Sequence, residues 1–198
     1  CRRDLVSLLG ACATPEPLLC TVDMKILKAG DADNIQPCVF PILLPHEVFA
    51  HLWADFPKRF EQVFLGDGGV GGLEEFWDGV CARRDPRVRF HPMVNRKNWK
   101  SKTVPLTLHG DGVPCVSVGK AGTRSFDVCS FQGLLGRGNT KELKLMIFGI
   151  FDKSKTQLGM SEIWKIVRWS LDSLLLDRWP IADWNGRAWP AGSVAAKR

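Results

Sequence analysis

Tyrosine is absent from the 198 residues, although eight tryptophans and eleven phenylalanines are present. Nothing in the sequence itself explains that balance. Also missing is any apolar run of the roughly 20 residues that a membrane-spanning helix requires. The longest candidate, near Val39 to Leu44, is interrupted by Pro41 and bounded by Pro45, so no membrane partner is expected. The seven cysteines, at positions 1, 12, 20, 38, 81, 115 and 129, form no Cys-x-x-Cys pair. Spacings such as Cys12 to Cys20 and Cys115 to Cys129 fit no standard zinc pattern. An odd number of thiols in a chain of ordinary size points to reduced cysteines in an intracellular compartment. Cys1-Arg2-Arg3-Asp4 has no long apolar region behind it to read as a signal peptide. A start at Cys rather than Met leads us to expect an internal fragment.

What is present is a globular composition. Hydrophobic residues make up 45% and charged residues 24% of a chain with room for one core or two small ones. The net charge of +6 favours an anionic partner, and its distribution says more than its size. Residues 83 to 102 carry Arg83, Arg84, Arg87, Arg89, Arg96, Lys97, Lys100 and Lys102 against a single acid, Asp85. An arginine-rich turn of this kind can grip phosphates while Trp99 stacks on a base. The competing reading is a solvated connector whose charges maintain solubility.

Taken in order, residues 1 to 38 hold the apolar patch Leu5 to Leu9, the Thr14-Pro15-Glu16-Pro17 turn and a polar loop from Gly30 to Asn34. They read as an irregular segment with one short helix or strand and a linker. From 39 to 82 the pattern is helical. Val48, Phe49, Leu52, Trp53 and Phe56 recur at three and four residues after Pro45, and Pro57 forces a stop or kink. Phe60, Val63 and Phe64 predict a second short helix. His46 and His51 are five apart, off one helical face, and read as solvated or capping residues. Gly66 to Gly72 matches G-x-G-x-x-G before a helix, but no strand precedes it and no βαβ unit follows, so a flexible linker fits better than a dinucleotide turn. Leu73, Phe76, Trp77, Val80 and Cys81 then make one apolar stripe.

The stretch Thr103 to Cys115 alternates. Val104, Leu106 and Leu108 fall on one face, and Thr107, His109 and Asp111 on the other. Gly110 and Gly112 flank Asp111 and leave room for a ligand or metal to approach the backbone. The bland reading is a hairpin turn, for which Asp-Gly between apolar runs is a strong signal. Phe126 to Phe131 and Leu143 to Phe151 read as two more strands of a meander. Met160, Ile163, Trp164, Val167, Leu171, Leu174 and Leu175 then predict a helix opened by Ser161-Glu162. Residues 179 to 198 are a Trp- and Pro-rich tail. Strand with a terminal aspartate, strand, strand, helix is the order that opens an RNase H-like domain. The expected class is therefore α+β: an N-terminal helical region, a basic connector over 83 to 102, and an incomplete RNase H-like β-β-β-α unit over 103 to 178.

Phe40-Pro41-Ile42-Leu43-Leu44-Pro45-His46-Glu47, Arg83-Arg84-Asp85-Pro86-Arg87 and His109-Gly110-Asp111-Gly112-Val113-Pro114 resemble a large protein family repeated many times in some protist genomes. Ser125 to Val128, Lys144 to Phe151 and Trp164 to Leu174 continue the likeness, which covers roughly residues 38 to 190. More distantly, Val104 to Leu135 is similar to the first catalytic block of cut-and-paste transposases of the Kyakuja, Dileera and Zisupton type. There an aspartate ends the first strand. That resemblance implies a DNA partner, a nuclear location, and Asp111 as a catalytic ligand of Mg²⁺ or Mn²⁺ for attack on a phosphodiester. Only Asp111 carries over from the motif. Asp127, Asp152 and Asp172 are the acids that could approach it, His109 on the same face could hydrogen-bond a metal-bound Asp111, and Lys120 and Arg124 could make further phosphate contacts. Three readings stay open: an incomplete transposase-like, metal-dependent DNA-processing core inactive by itself; a nucleic-acid-binding module without catalysis; and a protein-interaction module with tryptophan anchors.

Overall fold

Alternation of buried and exposed residues sets the first elements. The computed structural model describes residues 15–25, 34–115 and 124–189. In the segment expected to be irregular, β1 (Leu18–Lys25) pairs antiparallel with β2 (Ile35–Ile42), with Cys20 opposite Phe40 and Val22 opposite Cys38. Cys20, Val22, Phe40 and Ile42 are buried, and their neighbours in sequence face outward. Pro37 and Pro41 have no N–H to donate, which suits a strand in a two-stranded sheet, where every strand is an edge. The Leu5–Leu9 patch lies outside the described residues.

The remaining elements are α1 (Pro45–Asp55), α2 (Pro57–Phe60), a π-helical turn (Glu61–Leu65), a 3-10 turn (Gly66–Gly68) and α3 (Gly69–Ala82). They continue with α4 (Pro86–Arg89), a 3-10 turn (Pro92–Asn95), α5 (Trp99–Lys102), β3 (Leu106–Cys115) and β4 (Arg124–Gly133). The last are α6 (Thr140–Leu143), β5 (Leu145–Phe151) and α7 (Gln157–Leu176). The class is mixed α+β, with two small sheets, β1-β2 and β3-β4-β5. Three strands adjacent in chain order and then a long helix are present, with the short α6 between β4 and β5.

The chain divides into two compact units, and the division falls inside α1, β3, β4 and β5. One unit holds residues 49–109 and 130–146. Its core is aromatic: Phe49, Phe60 and Phe64 lie with ring centroids 4.9 Å apart, and Phe131 stacks on Phe64 at 6.2 Å. Burying each such ring contributes on the order of 1.5–3 kcal/mol. Pro57 restarts the helix rather than ending it, which turns Phe60, Val63 and Phe64 inward. The glycine-rich stretch after them is not a loose linker. Gly66 has φ +63°, and a Cβ there would lie 2.1 Å from the Leu135 carbonyl oxygen, so the chain is pressed against residues 135–137. A second cluster forms where α3 buries Leu73, Trp77 and Val80, while Cys81 stays exposed.

The other unit holds residues 15–48, 110–129 and 147–189 among those described. Here α7 packs on β1 and contributes Ile163, Ile166 and Val167 to a core with Val22, Phe40, Ile42, Ile147, Phe148 and Ile150. Thr156, and not Ser161, caps α7: its Oγ accepts from the Gly159 N–H at 2.9 Å and donates to the Asp23 carbonyl at 2.6 Å. A Cβ at Gly159 would lie 2.3 Å from that carbonyl, so glycine permits the close approach. His46 is not solvated. Its ring is buried, Nδ1 lies 2.8 Å from Ser170 Oγ, and Trp169 and Trp179 stand edge-on to it at 5.2 and 5.3 Å. His51 remains near the surface, 2.8 Å from Asp55. The tail is also packed as far as residue 189. Trp169 donates its indole N–H to the Ala182 carbonyl, Trp184 to Glu162 and Trp189 to the Pro180 carbonyl. An indole can only donate, and each of these reaches an oxygen.

Replacing Thr156 by Ala removes the cap and the bond to Asp23 together. The unfolding free energy is expected to fall by about 1–2 kcal/mol, whereas Thr156→Ser retains both bonds. Urea denaturation of the two variants measures the difference.

Candidate functional site

Eight cations in twenty residues repel one another, so a fold at 83–102 requires anchors. The segment does not run as a loop: α4, the 3-10 turn and α5 wrap the buried cluster of Trp77, Val80 and Met93. Val88, Val94 and Trp99 pack against that cluster from three points along the segment. Trp77 donates its indole N–H to the Thr103 carbonyl at 2.8 Å and ties down the far end. With Val88, Met93, Val94 and Trp99 turned in, the charges are forced out. Arg83, Arg84, Arg87, Arg89, Arg96, Lys97 and Lys102 are exposed and Lys100 is half-buried.

Arg87 and Lys100 are engaged with acids. Asp85 caps α4, accepting the Arg87 N–H at 2.9 Å, and its carboxylate takes the Arg87 guanidinium in a two-pronged pair at 3.0 and 2.7 Å. The hydrogen bonds from Arg87 lower the Asp85 pKa to about 2. Lys100 is bonded to Asp78, which raises its pKa above the ordinary lysine value. Arg83, Arg84, Arg89, Lys97 and Lys102 form no ion pair among the described residues. Arg84 sits at φ +55° just past α3, and Asn98 at φ +58° starts α5, so the backbone turns sharply at both places. Trp99, the expected base-stacking ring, is a packing residue. Its centroid lies 5.3 Å from that of Trp77, and the Lys100 ammonium lies 5.9 Å from its ring. The ring that sequence reading passed over is Phe90, 78% exposed at the end of α4. The clue available in the sequence was its setting, between Arg87-Val88-Arg89 and Arg96-Lys97.

Asp111 is placed differently from both expectations. It is exposed in the interior of the ten-residue β3, so it neither ends the strand nor forms a hairpin turn. The alternation also fails at Leu108, which is 47% exposed. A Cβ on Gly112 would point at Asp127 Oδ1, 3.2 Å away, and at Ser125 Oγ, 2.9 Å away. Successive residues of a strand face opposite ways, so Asp111 and Asp127 stand on opposite faces of the sheet. Asp127 is committed elsewhere. It accepts from Ser125 at 3.0 Å and pairs with Lys155, which also reaches Asp152 at 3.0 Å. Hydrogen bonding to Lys155 lowers the Asp127 pKa and raises that of Lys155. Asp172 pairs with Arg168 on α7. No group of three His, Cys, Asp or Glu side chains able to hold a metal occurs among the described residues. Among the described residues, then, no donor set for a two-metal site surrounds Asp111. Lys120 lies outside the described residues, and so does the side chain of Arg124, which begins β4.

No helix among the described residues is long and apolar enough to cross a membrane. Compared with models of known families, with curated proteins and with solved structures, the chain matches none.

Two outcomes check this geometry. Calorimetric titration of Mn²⁺ is expected to give the same heats for the wild type and Asp111→Asn; a binding event lost only in the variant would restore a metal at Asp111. The Asp127–Lys155 pair contributes stability that is present above about pH 4 and below about pH 10, the ordinary values of its two groups. It is lost as pH falls through the lowered Asp127 pKa. Thermal melts from pH 5 down to pH 2 are expected to fall less steeply for Asp127→Asn than for the wild type.

Proposed function

We propose that this chain is a nucleic-acid-binding module of transposase-like descent, without catalytic competence of its own, which holds a polyanion through residues 83–102. The supporting observation is the row of exposed cations held on three short helical turns over a buried apolar anchor. Ordered cations lose less freedom on binding than cations on a free linker, and each phosphate contact releases condensed counterions. The order β3-β4-β5-α7 supports the RNase H-like reading of the second half as an ancestry. A DNA-cleaving role is not proposed, because Asp127 faces away from Asp111 and is paired with Lys155.

Asp85 matters to this reading. Its carboxylate holds Arg87 and subtracts one charge from the surface. Asn at that position still accepts the cap bond but no longer neutralises the guanidinium.

Duplex DNA affinity measured by fluorescence anisotropy is expected to fall on the order of 100-fold between 50 and 200 mM salt, as roughly four phosphate contacts would require. Asp85→Asn is expected to bind more tightly at low salt and to steepen the log–log slope by about one. An affinity indifferent to salt would remove the nucleic-acid reading.

A further inference from the structure

Phe90 is the most exposed aromatic side chain among the described residues, at 78%. A phenylalanine left in water forgoes the burial that would stabilise it, and single exposed rings usually need no explanation. This one differs in its surroundings. It follows Arg87 and Arg89 in sequence and precedes Arg96 and Lys97, all exposed. Its backbone is held. Phe90 closes α4, its N–H bonds back to the Pro86 carbonyl at 3.4 Å, and the adjacent His91 N–H bonds to the Val88 carbonyl at 3.0 Å. His91 Nδ1 then accepts from the Met93 N–H at 3.3 Å and starts the turn that buries Met93. The ring is thus displayed from a backbone anchored on both sides, by Val88 before it and Met93 after it. The Arg89 guanidinium lies 5.3 Å from the ring centroid. The other strongly exposed ring of this unit, Trp53, packs edge-on against Phe60 at 4.9 Å and has no comparable run of cations beside it.

We propose that Phe90 is a base-stacking platform and that the surface over residues 83–102 takes single-stranded nucleic acid in preference to duplex. This rests on the polyanion reading above and adds the class of strand. Bases in a duplex are already stacked on each other and offer no free face to a side chain. An unpaired base has two, and a ring flanked by cations satisfies base and phosphates together. Stacking also tolerates any base, since each has a π-face, so little sequence preference is expected. Trp99, half-buried and packed against Trp77, offers less free ring to a base. DNA and RNA share the recognised chemistry, which here includes no contact specific to a 2′-hydroxyl.

The test compares four probes of roughly twelve nucleotides at one salt concentration: oligo-dT, oligo-U, a duplex, and an abasic deoxyribose-phosphate oligomer that keeps the charge without bases. The wild type is expected to bind oligo-dT and oligo-U about 5- to 100-fold more tightly than the abasic strand. Phe90→Ala should abolish that difference and leave the abasic affinity unchanged, and Phe90→Trp should retain it. Paired Arg89→Gln and Lys97→Gln changes should weaken all four probes alike. Because Phe90 is exposed, melting temperatures of the Phe90 variants should match the wild type. If the single strands and the abasic strand bind equally well to the wild type, or if Phe90→Ala keeps the preference, the stacking platform is refuted while the basic surface stands. If no probe binds at low salt, the polyanion reading itself falls.

Discussion

Trp77 donates its indole N–H to the Thr103 carbonyl across 26 residues while its ring packs with Phe76, Trp99, Val80 and Met93. That burial fixes both ends of the arginine-rich segment. One end leaves α3 a turn beyond Trp77, and the other reaches Thr103, the acceptor of its hydrogen bond. Between them, mutual repulsion of the cations would favour an extended chain at low ionic strength. Val88, Met93, Val94 and Trp99 offset this by burying apolar surface at intervals short enough that no long stretch is free. Bonds from Arg87 to Asp85 and from Lys100 to Asp78 remove two of the charges from the repulsion. The result is a charged surface with a rigid apolar underside.

The unit containing α7 is organised by a different contact, the seating of Thr156 and Gly159 on the Asp23 carbonyl. It aligns the long helix on β1 and brings Trp164 edge-on to Phe148 at 5.7 Å. Lys155, one residue before the cap, is thereby delivered to Asp127 and Asp152. An acid expected near Asp111 is instead part of a structural ion pair. Such pairs account for lowered carboxylate pKa values without any catalytic role.

Much of the element pattern was legible. The stripe of Leu73, Trp77 and Val80, the inward trio Phe60, Val63 and Phe64, and the strand-strand-strand-helix order of the second half all follow from period and turn residues. Three regions were not. The β1-β2 hairpin was hidden because β2 contains two prolines, which argue against a strand except at an edge. The turns at 83–102 were hidden because each is about one helical turn, too short to show periodicity. Asp111-Gly112 looked like a turn or a strand end, and an uninterrupted strand runs through it instead.

The sequence by itself determined where the charge gathers, which segments have helical or strand period, and that Asp111 has only a few acids to choose from as partners. These are properties of residues close together along the chain. Only the tertiary structure decided which cations are neutralised, that Trp99 is packed while Phe90 is displayed, and that Asp127 turns to Lys155 on the face opposite Asp111. Apart from the Arg87–Asp85 pair, which is local, these depend on groups distant in sequence, 22 residues for Asp78 with Lys100 and 28 for Asp127 with Lys155. Local pattern limits which side chains can be exposed, but the burial of a particular ring is settled by what packs against it.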